Sequence, residues 1–220
     1  MPFFIFFIYI VLAAVALLCA LKIGKEAVIG IIAVEAVLLH LMITNKLDLF
    51  GFRSEASEAL LVAAGLGLNL VHEYFGEEAV KKSIATSTLC ALVFSLAFYL
   101  HIAFGQISTS CLIDFAEITP RLLIASCISF FIGQTIEAYL YTYLLEQKKL
   151  EKQFILRNYI VAFIGQFLDT ILFTLGAWYG LHGDLMSMIF YGCALKFFVI
   201  ICATPFLALS KFILRPHASI

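Results

Sequence analysis

Long apolar runs separated by short charged breaks dominate this chain. Dividing it at the charges leaves seven candidate spans: Phe3–Leu21, Ala27–Ile43, Ala59–Val71, Ser83–Ala103, Leu122–Leu145, Ile160–Leu181 and Leu185–Leu209. Runs near twenty residues have the length a helix needs to cross a hydrocarbon layer of ~30 Å. The pattern predicts an all-α, polytopic transmembrane bundle of six or seven spans. The third run is the short one, with thirteen uncharged residues, Gly65 and Gly67 inside it and Asn69 near its end. It reads as a short tilted helix, or as an interrupted one lining a cavity.

Composition agrees. Hydrophobic residues are 63% of the chain and charged residues 13%, about half the ~25% of globular proteins. A net charge of −1 without a basic face gives nucleic acid no surface to bind. The six cysteines are scattered and form no CxxC pair, so neither a disulfide framework nor a zinc site is expected. No cofactor is expected either. The N-terminal run lacks the basic flank of a cleaved signal peptide and reads as a retained first span. No linker divides residues 1–220, which read as one domain.

Lys and Arg then orient the bundle. Ten lie in the connections after spans 1, 3 and 5 and in the C-terminal tail; three, Lys46, Arg53 and Arg121, lie on the other side. Positive charge collects on the cytoplasmic side, so the tail is expected there. The N-terminus is outside with seven crossings and inside with six. Gly105–Thr119 reads as an outer connection and EQKKLEKQ, from Glu146, as a cytoplasmic turn.

Two segments repeat one phrase. FIGQTIEAYLYT from Phe131 and FIGQFLDTILFT from Phe163 match at Phe, Ile, Gly, Gln, Leu140/Leu172 and Thr142/Thr174, with Glu137/Asp169 and Tyr141/Phe173 conservative. Consecutive spans run in opposite directions, so the copies are inverted, an arrangement that builds substrate sites near the bilayer midplane. Counting from Leu145 and Ile160, the two acids fall ~12 and ~14 Å from the cytoplasmic boundary at ~1.5 Å per residue, at nearly one height. Gln134, Glu137, Tyr141 and Gln166, Asp169, Phe173 each follow an i, i+3, i+7 spacing, which places amide, carboxylate and ring on one helical face.

A carboxylate at such depth costs about 3 kcal/mol on insertion scales and faces a cavity or a partner. Lys196, eleven residues into span 7, can neutralise one acid as a buried ion pair. Two acids and one lysine leave a carboxylate for a ligand or a proton. Amides and carboxylates together satisfy adjacent N–H donors and carbonyl acceptors, and rings stack on flat faces. A planar neutral or weakly cationic heterocycle fits this row; an aromatic amine also fits.

Three motifs carry a family resemblance over about two-thirds of the chain: NLVHEYFG at Asn69–Gly76, R-x4-S-x7-Q-x2-E from Arg121 to Glu137, and RN-x7-Q-x2-D from Arg157 to Asp169. The last continues to Phe173, Trp178 and Gly180, and Tyr191, Lys196 and Thr204-Pro205 add to it. In these the chain resembles the queuosine precursor transporters, grouped with the vitamin uptake transporters. The resemblance implies a multi-pass inner-membrane importer of 7-deazaguanine bases, from early precursor and aminomethyl form to queuine, which feed tRNA modification. It implies a purine-like base as substrate, read by Gln134, Glu137, Gln166 and Asp169 with Asn69, Glu73, Phe173 and Tyr141. Lys196, Arg121, Arg157 and Asn158 would balance charge or gate. Where the family has Asp and Asn ahead of Glu73, this chain has Asn69 and His72, and Glu137 stands for a common Asp. Substrate choice within the class is therefore open, as is another planar vitamin.

His72-Glu73 begins an H-E-x-x-H zinc helix, but Gly76 replaces the second His and the reading fails. Glu73 could meet ligand, Lys81 or Lys82. Arg121 and Arg157, at the starts of spans 5 and 6, suit interfacial anchoring or gating pairs with Glu117 or Glu151. With no nucleotide-binding motif, energy would come from a proton, from a separate energising module, or from neither; a homo-oligomer is a further expectation. An intramembrane enzyme using Glu137 and Asp169 is the alternative of a different class, although GxGD and GxSG are absent.

Overall fold

A computed structural model describes residues 2–42, 46–49, 52–55, 57–103, 110–147, 153–181 and 183–213. Among them are seven α-helices: α1 Pro2–Ile23, α2 Lys25–Met42, α3 Glu58–Phe75, α4 Glu77–Ala103, α5 Ser110–Glu146, α6 Phe154–Trp178 and α7 Leu185–Leu207, the last running into a 3₁₀ turn, Ala208–Phe212. A hairpin of β1 (Lys46–Leu49) and β2 (Phe52–Glu55) joins α2 to α3. Five helices, all but α2 and α3, are long and apolar enough to cross a membrane by themselves. The protein is a multi-pass helical bundle.

Two links are a single residue long. Gly24 (φ 134°) joins α1 to α2 and Gly76 (φ 82°) joins α3 to α4. These φ values lie where a side chain is strained, so glycine allows helix to follow helix without a loop. The exposed apolar positions Leu89, Leu92, Val93 and Leu96 on α4 follow i, i+3, i+4, i+7 and give that helix one apolar outer face.

The third span is not interrupted. α3 is a continuous helix of 18 residues, and nearly every residue from Ala59 to His72 is buried. Its glycines serve close packing rather than a break. A Cβ on Gly67 would lie 2.8 Å from Leu17 Cδ2 and 2.9 Å from Ile32 Cγ1, so α1 and α2 press directly on the backbone. Gly65, on another side, faces α5 and α6.

Two boundaries depart from the charge-based spans. α5 begins at Ser110, so residues 110–119 of the expected outer connection are helical, with Pro120 inside the helix. α6 begins at Phe154, six residues before Ile160, and carries Arg157 and Asn158 into the bundle fully buried. Charge ends a span only where the charge must reach water, and Arg157 has a buried partner instead. The connection before α3 holds a hairpin whose register sets Lys46 opposite Glu55 and Asp48 opposite Arg53. β1 packs beside α1 and β2 beside α7.

Candidate functional site

The inverted phrase folds into a reciprocal pair. α5 and α6 run antiparallel, and each copy's glycine receives the other copy's acid. A Cβ on Gly165 would lie 2.7 Å from Glu137 Oε2, and one on Gly133 would lie 3.3 Å from Asp169 Cβ. Small residues let helices approach closely where a larger side chain must be received. Asp169 is therefore level with Gly133, and Glu137 with Gly165. The acids are one helical turn apart in height, about 6 Å at ~1.5 Å per residue, and not at one height. Counting from Ile160 omitted the first six residues of α6.

That offset gives the acids separate surroundings. Asp169 Oδ2 accepts from Lys196 Nζ at 2.7 Å, and the same ammonium lies 3.3 Å from Glu58 Oε2. Glu58 opens α3, so α3 starts level with a lysine eleven residues into α7, inside the bundle rather than at its rim. A carboxylate in the first turn also suits the positive end of the helix. A cavity of about 20 Å³ opens beside these groups, lined by Ser57, Ser126, Ser129, Phe130, Phe173 and Leu39 among others. Ligand pockets measure roughly 300 Å³ or more, so the helices must part to admit a bicyclic base.

Among the described residues, no cation pairs with Glu137. Asn69 Nδ2 donates to its Oε1 at 3.3 Å. A Cβ on Gly65 would lie 3.1 Å from Glu137 Oε2 and 3.2 Å from Gln166 Nε2, so the carboxyl and amide share the hollow that this glycine leaves. Gln134, Glu137, Gln166 and Asn69 are all at least 98% buried. Three acceptors in this group, Gln134 Oε1, Glu137 Oε2 and Gln166 Oε1, have no hydrogen-bond partner among the described residues. Buried acceptors are rarely left so.

A second polar cluster lies toward the far ends of α3 and α5. Arg157 Nη2 donates to Glu73 Oε2 in a buried ion pair, and Tyr141 Oη donates to the same oxygen at 2.8 Å. The guanidinium lies 4.9 Å from the Tyr141 ring centroid. His72 stacks on that ring at 4.8 Å and its Nε2 meets Thr142 Oγ1 at 3.2 Å. Tyr141 thus shares a helix face with Glu137 but serves this latch. Asn158 Nδ2 donates to Phe154 O at 2.8 Å.

Several expected pairings resolve differently. Arg157 is no interfacial anchor, since it is fully buried on Glu73; Glu151 and the Glu117 side chain lie outside the described residues. Glu73 meets neither Lys81, which pairs with Glu77 at 2.6 Å, nor Lys82, which reaches Glu26 at 3.2 Å. Arg121 donates to the carbonyls of Gly176 (2.9 Å) and Tyr179 (2.6 Å) and so caps the end of α6. Sequence reasoning missed Glu58, which it counted as a boundary charge, and Ser129 of the cavity; Ser126 entered it only as the Ser of the R-x4-S motif. The i, i+3, i+7 spacing of Ser126, Ser129 and Gly133 was the available signal.

Residues 60–210 match the family model described as "Putative vitamin uptake transporter". The chain belongs to this family. This transporter is also 26% identical over 194 residues, 86% of its length and 85% of the relative's, to a Bacillus subtilis (strain 168) protein named "Probable queuosine precursor transporter". No solved structure matches the chain. The family match covers α5, α6 and α7 and α3 from its third residue, leaving Glu58 just outside it.

Proposed function

We propose that this transporter imports 7-deazaguanine bases, the precursors of queuosine, across the cytoplasmic membrane. The observation that carries the proposal is the trio of acceptors on Gln134, Glu137 and Gln166 that have no partner among the described residues. A deazaguanine presents a ring N–H and an exocyclic amine on one planar edge, and adjacent acceptors are what such an edge requires. The name of the Bacillus relative points the same way. Asp169, Lys196 and Glu58 would line the entry from the hairpin end, with Phe173 available to stack. The Glu73–Arg157–Tyr141 latch would close the opposite end. The excess of Lys and Arg at that opposite end supports a cytoplasmic C-terminus and, with seven crossings, an outer N-terminus.

The test is uptake in a bacterium that can neither make queuosine nor import its precursors. Each deazaguanine is fed separately and tRNA modification is scored. The chain should restore modification with at least one base, and Glu137→Gln should lose that rescue at equal membrane abundance. Silence with every base would overturn the proposal.

A further inference from the structure

Among the described residues, one acid buried inside the bundle has no partner. Glu35, on α2, is 4% exposed, and neither of its carboxyl oxygens has a hydrogen-bond partner among the described residues. The other described acids inside the bundle are engaged: Asp169 and Glu58 on Lys196, Glu73 on Arg157, Glu137 on Asn69. We propose that Glu35 is a proton-binding site, separate from the base-binding residues, through which a proton gradient drives substrate movement. The proposal rests on the transport reading above.

The ligand follows from the surroundings. An ionised carboxylate without a partner is not sustained in an apolar bundle, whereas the neutral acid is. A metal ion would need several oxygen or nitrogen ligands, and no cluster of three His, Cys, Asp or Glu occurs among the described residues. Among the described residues, the elements around α2 place no cation on Glu35. From α1, Tyr9 is within electrostatic reach, with its hydroxyl directed to Met42 Sδ at 3.1 Å. From α4, Lys81 and Lys82 are held at the helix start by Glu77 and Glu26. From α3, Glu58, His72 and Glu73 are turned to α7, α5 and α6. On α2 itself, Lys25 lies beside Glu26, and His40 is held by Ala36 O and Cys127 Sγ.

A packed route joins this site to the binding row. Ile32, three residues before Glu35, rests against the Gly67 position of α3. Two residues earlier on α3, Gly65 backs Glu137 and Gln166. A movement of α2 that brings Glu35 to water therefore shifts α3 directly beneath the acceptors, because a close-packed contact passes displacement on rather than absorbing it.

The experiment uses the full chain in two assays. In proteoliposomes loaded and bathed with a deazaguanine, the parent should accumulate base when the outside is made acid and lose the gain on adding a protonophore. Glu35→Gln should cut gradient-driven accumulation at least tenfold, keep exchange of base for base, and be partly rescued by Glu35→Asp. In detergent without substrate, a pH jump should release one proton fewer from Glu35→Gln than from the parent. A Glu35→Gln protein that accumulates base as the parent does, or releases as many protons, overturns the proposal. A parent that carries no base but releases the extra proton overturns the substrate assignment and leaves the proton site standing.

Discussion

Gly165→Ala tests whether the close approach at Gly165 holds Glu137 in its working position. The new methyl would sit 2.7 Å from Glu137 Oε2, 3.1 Å from Cδ and 3.2 Å from Cβ. Ordinary contact begins near 3.4 Å, so the carboxyl must move by about 0.7 Å. Because Cδ and Cβ are crowded too, rotating the carboxyl alone does not relieve the clash. The hydrogen bond from Asn69 is already 3.3 Å long and does not survive such a shift. A hydrogen bond to a charged or strongly polar group contributes about 1.5–3 kcal/mol, which is roughly ten- to hundredfold in affinity. Overpacking costs about 1–3 kcal/mol and alanine returns about 1 kcal/mol in helix propensity, so the fold should survive. The assay is concentration-dependent uptake of the rescuing base at matched membrane abundance. The half-saturating concentration should rise at least tenfold in Gly165→Ala. Gly30→Ala, the same change in a helix where nothing lies within 4 Å, should match the parent. Parent-like affinity in Gly165→Ala would refute the claim that this contact positions a binding carboxyl.

Asp169→Asn should abolish uptake and destabilise the protein by less than the ~3–5 kcal/mol of a wholly unpaired buried ion, because Glu58 still holds Lys196; thermal unfolding in detergent checks it, and adding Lys196→Met should lower stability further by stripping Glu58 of its cation. Arg157→Met and Glu73→Gln should each lower the melting temperature more than the double variant does relative to their sum, since the two share one buried pair; additive shifts would refute the latch. Gly67→Ala, which sets a methyl 2.8 Å from Leu17 Cδ2, should destabilise by about 1–3 kcal/mol while the surviving protein keeps its affinity for base, as measured by uptake per folded molecule.

Much of this was legible in the chain. Apolar runs located all seven helices, and the repeated phrase located the acids, amides and glycines that the antiparallel pair brings together. What failed was the use of charge as a boundary. Arg157 and Glu58 were read as the edges of spans because a lone charge must reach water, yet each has a buried counter-charge from a helix distant in sequence. A single sequence does not show that pairing. The height error followed from the same cause, since α6 runs six residues past its first expected position to bury Arg157. Glu35 was legible in principle as a lone acid in an apolar run, but it lay outside the repeat. The hairpin carries mixed charge in an expected loop, and it lies beside α1 and α7, which are distant from each other in sequence.

The near-complete burial of α3 has a consequence for how this protein can change. A lipid-facing helix such as α4 has a free side on which one apolar residue serves as well as another, so its tolerance to substitution should rise and fall every three to four residues. α3 has no such side: between Ala59 and His72 almost every position abuts another helix. A saturation library should show α3 as an unbroken band of intolerance. New substrate preferences would then have to arise on α5 and α6, whose outer faces give their inner residues room to be exchanged.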